Sequence, residues 1–139
     1  YKGSMQGMVD LMSGRMQFMV NPLPEMIPFV ESGKLRAIAV TGLKRSAVMR
    51  ELPTVNETLP GFEVTTWNGL MVPAATPKDV VAKLNTEIVK LLKAPATLKR
   101  MSELGLDTIA STPEQFADHL RRETEKWAKV VRAAGARIE

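Results

Sequence analysis

The first part of the chain changes between two spacings of apolar residues. Helical spacing comes first, after Ser4, at Met5, Met8, Val9 and Met12. It predicts a helix that Ser4 caps and Gly14 ends. Residues 16–20 then alternate, which predicts a strand. The methionines would also fit one long helical stripe through Met19, and we prefer helix, turn and strand because Gly14 interrupts that stripe.

Two further segments continue this alternation of helix and strand. Asn21 and the prolines that follow it break the first strand, and residues 25–31 predict a short helix that Gly33 closes. Leu35–Val40 is apolar apart from Arg36, which suits a strand buried on both faces of a parallel sheet. Residues 1–40 therefore predict α/β order, with the end of a strand ahead of the first helix.

The middle of the chain predicts loops and extended segments. Residues 41–52 are mostly polar and loop-like, and residues 53–57 can form one helical turn. Phe62–Thr66 and Gly69–Val72 are extended candidates on either side of Trp67.

From Pro73 onward the pattern becomes mainly helical. Thr76 and Pro77 predict a helix start, with Thr76 as the capping residue. Pro95 begins a second helix, which Gly105 ends.

The last helix has the clearest start and stop signals. Thr112 and Gln115 have the spacing of a capping box, and Gly135 ends the helix. Residues 107–110, just before it, are a short candidate strand.

Composition limits the chemistry that the chain can carry. Of its 139 residues, 45% are hydrophobic and 24% are charged, which is typical of a globular domain. Cysteine is absent and His119 is the single histidine, so we expect no metal site. No glycine-rich phosphate loop and no nucleophile with a base partner is visible, so we expect no cofactor and no catalytic residue.

The net charge argues against one class of partner. A charge of +4 is mild, and aromatic residues make up only 5% of the chain. A nucleic-acid surface would need a denser basic patch, so we expect no nucleic-acid partner.

Several short stretches, taken in order, resemble one family of receptors. They are Tyr1–Ser4, Asp10–Arg15, Phe18–Asn21, Ser32–Thr41, Leu52–Val55, Leu59–Phe62, Trp67–Leu70, Pro73–Pro77 and, in the closing helix, Phe116 and Lys126-Trp127. Each is weak alone, but the ordered set is similar to the substrate-binding (Bug-type) receptors of tripartite tricarboxylate transporters. The resemblance covers essentially the whole chain.

This resemblance implies an α/β fold, a periplasmic-binding-protein type II-like clam-shell of two lobes. Residues 1–72 would be the later part of the second lobe with a returning hinge strand, and 73–139 the C-terminal, mainly helical part of the first lobe. The chain would be the C-terminal portion, a fragment covering part of both lobes. The chain also begins without Met, on residues that are typical of the end of a strand, so we expect further sequence ahead of Tyr1. Uncovered apolar faces should then cause self-association, with element exchange as one route.

The resemblance also implies a function. The protein would be a periplasmic solute-binding receptor, not an enzyme, that captures a small carboxylate or dicarboxylate and delivers it to the permease subunits of the membrane transporter. Two alternatives stay open. One is an α/β enzyme domain whose catalytic half lies elsewhere, and the other is a ligand-sensing regulatory domain with the same clam-shell.

Five residues are candidates for ligand binding: Gly3, Ser4, Asn21, Trp67 and Asn68. Gly3 and Ser4 lie at a helix start, which favours an anion. Asn21 follows a predicted strand, where α/β clefts open, and Trp67 and Asn68 lie near the predicted lobe crossing. Structural alternatives are a plain cap for Ser4, a turn for Asn21 and hinge packing for Trp67. The family often has a small polar residue near this Asn, and the apolar Val20 departs from that pattern.

Overall fold

The computed structural model describes residues 3–136, in which the regular structure is helical. The α-helices in this range are α1 Ser4–Met12, α2 Leu23–Glu31, α3 Lys78–Leu92, α4 Pro95–Glu103 and α5 Pro113–Ala134. A 3₁₀ turn at Val55–Glu57 lies between α2 and α3.

The described chain divides into two compact units. The first contains the residues up to Trp67 together with Lys99–Asp107, and the second contains Asn68–Leu98 and the residues from Thr108 onward. The helix α4 therefore begins in the second unit and ends in the first. The predicted lobe boundary at Pro73 stays a prediction.

The predicted sheet is absent from residues 3–136. The candidate strands 16–20, 35–40 and 107–110 form no ladder, and neither do the extended candidates 62–66 and 69–72. The β-pairing in this range is confined to an isolated parallel bridge between Val40 and Thr54. A strand exists only where a neighbouring segment accepts and donates its backbone hydrogen bonds. The alternating pattern identifies segments that could join a sheet. Apart from this bridge, none of them pairs with another described segment. The strand end predicted at Tyr1-Lys2 lies outside the described residues.

Two predicted helix caps shift by one residue. The cap of α1 is Gly3, with φ 110° and ψ 164°, and Ser4 is the first helical residue, so the prediction that Ser4 caps the helix is wrong. Gly3 reaches a positive φ that side chains disfavour, which leaves Ser4 free to adopt helical angles. Pro77, not Thr76, precedes the first residue of α3, because Pro77 itself is extended with ψ 143°.

The predicted ends of α5 are confirmed. The Thr112 hydroxyl accepts a hydrogen bond from the Gln115 amide at 3.2 Å, and the Gln115 side chain accepts one from the Thr112 amide at 2.9 Å. Gly135 ends the helix in the left-handed conformation with φ 62°. Both signals are local in sequence, which is why they can be read without knowledge of the fold.

The methionines after α1 fold back onto it. The helix ends at Met12, so the long helical stripe does not form. A Cβ built on Gly7 would lie 2.8 Å from the methyl carbon of Met19 and 3.7 Å from that of Met16. The missing side chain of Gly7 therefore makes room for them, and the first unit buries Met8 to 1% exposure.

Thr54 organises the centre of the first unit. It is 3% exposed and lies opposite Val40 in the bridge, where the Val40 amide donates to the Pro53 carbonyl and the Val55 amide donates to the Val40 carbonyl, each at 2.9 Å. Its hydroxyl accepts a hydrogen bond from the Glu57 amide at 3.2 Å, and Glu57 Oε1 accepts one from the Thr54 amide at 3.0 Å. This reciprocal capping box closes the 3₁₀ turn directly beside the bridge.

Arg45 joins the preceding loop to this turn. Its Nε donates to Glu57 Oε1 at 2.9 Å and its Nη2 donates to Glu57 Oε2 at 2.7 Å, a bidentate geometry. The guanidinium of Arg45, followed by the backbone amide of Thr54, lowers the pKa of Glu57 to about 2. Glu57 is thus ionised throughout the ordinary pH range.

We predict that Thr54→Ala destabilises the chain. Loss of a threonine cap costs about 1 kcal/mol in other helices, and here the capped turn adjoins a backbone bridge. Thermal unfolding followed by circular dichroism should give a melting temperature several degrees lower. Thr54→Ser keeps the hydroxyl and should melt close to the wild type. Equal melting of all three proteins would show that the cap does not contribute.

A second prediction concerns acid. Because the folded-state pKa of Glu57 lies below its ordinary value of 4.5, its contribution is complete above about pH 4.5 and is lost as the pH falls toward 2. Glu57→Gln cannot titrate, so its melting temperature should decline less steeply over this interval than that of the wild type. Parallel acid limbs for the two proteins would contradict the assignment.

Candidate functional site

The start of α1 is an electropositive helix end without an acidic neighbour in its own first turn. The first amides of a helix lack intrahelical acceptors and carry the positive end of its dipole. Gly3 is exposed, Ser4 is half-buried, and Gly3 has no side chain to cap the helix. A small anion could therefore approach the backbone closely at this point.

Asn21 lies ahead of α2 and has a partner on that helix. Its Nδ2 donates a hydrogen bond to Glu25 Oε2 at 3.2 Å, and Glu25 occupies the first turn of α2. The start of α2 thus already holds a carboxylate, whereas the start of α1 does not. Of these two helix starts, only that of α1 lacks an acidic residue in its first turn.

Trp67 and Asn68 stand at the change from one unit to the other. Trp67 is half-buried and ends the first stretch of the first unit, while Asn68 is exposed and begins the second unit. The Val64 amide, shortly before them, donates to the Thr41 carbonyl at 3.0 Å. On the other side of Asn68, Gly69 lies against the ring of Phe116.

The candidate residues fall in both units. Gly3, Ser4, Asn21 and Trp67 belong to the first unit, and Asn68 belongs to the second. Asn21 donates a hydrogen bond to Glu25, and Gly69, the residue after Asn68, packs against Phe116. A shared ligand site for the five residues therefore stays a prediction.

Sequence reasoning missed two tertiary contacts. One is the pairing of Arg45 with Glu57, and the other is the packing of Phe116 on Gly69. The glycine directly after Trp67-Asn68 was the only visible signal, because a glycine outside a turn often marks close approach of another group.

Other kinds of site find no support in the described residues. No group of three or more His, Cys, Asp or Glu side chains in residues 3–136 could hold a metal ion. His119 lies on α5 with its ring 6.5 Å from that of Phe116 and nearly parallel to it. None of the helices that the structure describes is long and apolar enough to cross a membrane.

One further cluster lies on α5 and involves its tryptophan. Trp127 Nε1 donates to Glu123 Oε2 at 2.9 Å, and Lys126 Nζ lies 3.4 Å from Glu123 Oε1 and 5.7 Å from the Trp127 ring centroid. The hydrogen bond from Trp127 is the main cause of a lowered pKa for Glu123. These contacts connect neighbouring turns of one helix, so they orient Trp127 and do not form a ligand site.

Comparison with known proteins identifies one family. The profile described as tripartite tricarboxylate transporter family receptor matches residues 1–136. A protein of Pseudomonas sp. (strain P51), encoded in the tcbD-tcbE intergenic region, is 38% identical over 94% of this chain and 40% of its own length.

Two solved structures are similar in fold as well as sequence. The periplasmic binding protein BugD has 34% identity and a TM-score of 0.84 over 97% of this chain and 46% of the BugD chain. MatC from Rhodopseudomonas palustris, solved with bound malate, has 30% identity and a TM-score of 0.76 over 94% of this chain and 46% of the MatC chain. The chain thus spans less than half the length of these three proteins.

Proposed function

Because the chain belongs to the tripartite tricarboxylate transporter receptor family, we propose that it serves in a periplasmic receptor for a small carboxylate or dicarboxylate. The receptor would deliver this ligand to the permease subunits of a tripartite tricarboxylate-type transporter. The observation that carries the proposal is the family match over residues 1–136, in a chain whose α1 has an electropositive start with no acidic residue in its first turn.

The family also decides between receptor and enzyme. Its members are substrate-binding receptors, so the prediction that this chain is not an enzyme is confirmed, and the match gives no support to the truncated-enzyme alternative. A ligand-sensing regulatory domain gains no support from a match to a transporter receptor family.

The anion site that we propose is the start of α1. A carboxylate there would accept hydrogen bonds from the first-turn amides and from the Ser4 hydroxyl. The malate bound in MatC is a dicarboxylate of suitable chemistry, which makes malate the first probe to test. Asn21, Trp67 and Asn68 would supply the amide and apolar contacts that orient such a ligand.

The fold proposed for the whole receptor is the two-lobed clam-shell. The likeness to BugD supports a periplasmic-binding type of fold. In the proposal, residues 1–72 belong to the second lobe and residues 73–139 to the first, and closure of the lobes excludes water from the ligand. Exclusion of water strengthens each charged hydrogen bond to the carboxylate.

Uncovered apolar surface supports a further proposal about partners, namely that the chain alone binds a second copy of itself. Its accessible surface is 11148 Å². A folded monomer of its mass, 15.3 kDa, would expose about 7,100 Å². The excess of about 4,000 Å² is several times the ~800 Å² that each partner buries in a standard interface.

The second unit carries much of this uncovered surface. Among its described residues no side chain is buried, and exposure reaches 74% for Leu70, 68% for Met71 and 77% for Ile109. Exchange of an extended segment such as 68–72 between two copies would both cover apolar side chains and pair free backbone groups.

The anion site predicts opposite effects of one substitution on binding and stability. Ser4→Asp places a negative charge in the first turn of α1, which favours the helix by about 0.3–1 kcal/mol but repels a bound carboxylate. Isothermal titration should show that malate binding weakens at least tenfold while the melting temperature is unchanged or higher.

The titration should be made with the chain and with the longest reading frame that contains it, because the chain spans 40% of its first relative. Ser102→Asp, on the exposed surface of α4, is the matched control and should bind malate like the wild type. Equal affinities for wild type and Ser4→Asp would place the anion elsewhere. No binding by either length across a panel of carboxylates would contradict the proposed function.

The exposed apolar surface predicts self-association. Light scattering at micromolar concentration should give the mass of a dimer or a larger species, and Leu70→Lys with Met71→Lys should lower it toward that of a monomer. Lys44→Ala, on an exposed loop, is a control that should not change the mass. A clean monomer with cooperative unfolding would contradict this prediction.

A further inference from the structure

The ring of Phe116 fills the space that a Cβ on Gly69 would occupy. A Cβ built on Gly69 would meet Cε2 of Phe116 at 2.7 Å and Cε1 at 2.9 Å, closer than real contacts allow. Gly69 is not among the glycines with positive φ, so its backbone angles suit any residue. Glycine is required here for room and not for conformation.

Phe116 lies in the first turn of α5. The Phe116 amide donates to the Thr112 carbonyl at 3.0 Å, which is the first bond of the helix after the capping box of Thr112 and Gln115. The ring of His119, three residues later, lies 6.5 Å from that of Phe116 with an angle of 20° between the ring planes. The backbone that carries the Phe116 ring is therefore anchored in the capped start of α5.

Two features of its backbone define the turn that leads into α5. Ala110 has φ 47°, the only non-glycine residue with a positive φ in the described part of the chain. The next carbonyl, of Ser111, accepts a hydrogen bond from Asn85 Nδ2 of α3 at 3.0 Å. Such uncommon angles persist where surrounding contacts hold them, and here the contact comes from a different helix of the same unit.

We propose that Phe116, packed on Gly69, is a positioning residue that sets where Asn68 presents its side-chain amide. This inference rests on the proposed function, in which Asn68 contacts the ligand. Asn68 and Gly69 share one planar peptide unit, so a displacement of Gly69 displaces Asn68 with it. Ligand groups must be held within about 0.5 Å of their productive place, and a Cβ on Gly69 would require a shift of that size or more.

The contact is tested first without any ligand, by hydrogen exchange and mass spectrometry of the peptide that contains residues 68–72. Gly69→Ala should raise deuterium uptake in this peptide severalfold. Gly42→Ala is the matched control, because Gly42 has no positive φ and its Cβ would meet nothing nearer than 3.7 Å. It should leave uptake in residues 68–72 unchanged.

A compensating substitution separates this steric contact from a general loss of stability. The ring atoms that overlap the added Cβ are those at the far end of Phe116, and leucine ends before them. Gly69→Ala combined with Phe116→Leu should therefore return uptake in residues 68–72 to nearly the wild-type level. Uptake that stays at the wild-type level in Gly69→Ala, or no rescue in the double variant, would overturn the inference.

Malate binding then tests the link to Asn68. Gly69→Ala should weaken malate binding at least tenfold, the double variant should recover to within about threefold, and Gly42→Ala should bind like the wild type. Binding by Asn68→Ala that equals the wild type would also overturn the inference. If the wild type binds no carboxylate of the panel, the proposed function fails, and the exchange data alone decide whether Phe116 positions residue 68.

Discussion

The pairing of Val40 with Thr54 is the constraint on which the first unit depends. It brings two segments together through backbone hydrogen bonds of 2.9 Å, at a residue whose side chain also caps the following turn. The Glu57 carboxylate accepts a hydrogen bond from the Thr54 amide, and it also accepts one from Arg45 in the loop between the two segments. One buried threonine thereby connects a bridge, a turn and a loop, and the Arg45–Glu57 ion pair remains charged at any physiological pH because the pKa of Glu57 is about 2.

Features that depend on residues close in sequence could be predicted, and those that depend on distant partners could not. The capping box of Thr112 and the stop at Gly135 are local, and both are found where the sequence indicates them. The predicted position of the α1 cap, Ser4, is wrong by one residue, because Gly3 adopts a positive φ and Ser4 then joins the helix. Strands such as 35–40 need a neighbour along their whole length, and the sequence pattern describes the segment without supplying that neighbour.

The candidate site shows the same division. The resemblance directed attention to Gly3, Ser4, Asn21, Trp67 and Asn68, and the geometry then distinguished among them. Asn21 turned out to be bonded to Glu25 of α2, whereas the start of α1 has no acidic side chain in its first turn. The packing of Phe116 on Gly69 joins residues far apart in the chain, and no periodicity in the sequence indicated it.

The central proposal is an anion bound at the start of α1 in a receptor of the tripartite tricarboxylate transporter family. The most direct measurement is a crystal structure of the receptor with malate. We predict a malate carboxylate within hydrogen-bond distance of the Ser4 amide and hydroxyl. Malate bound elsewhere, with the start of α1 occupied only by water, would contradict it.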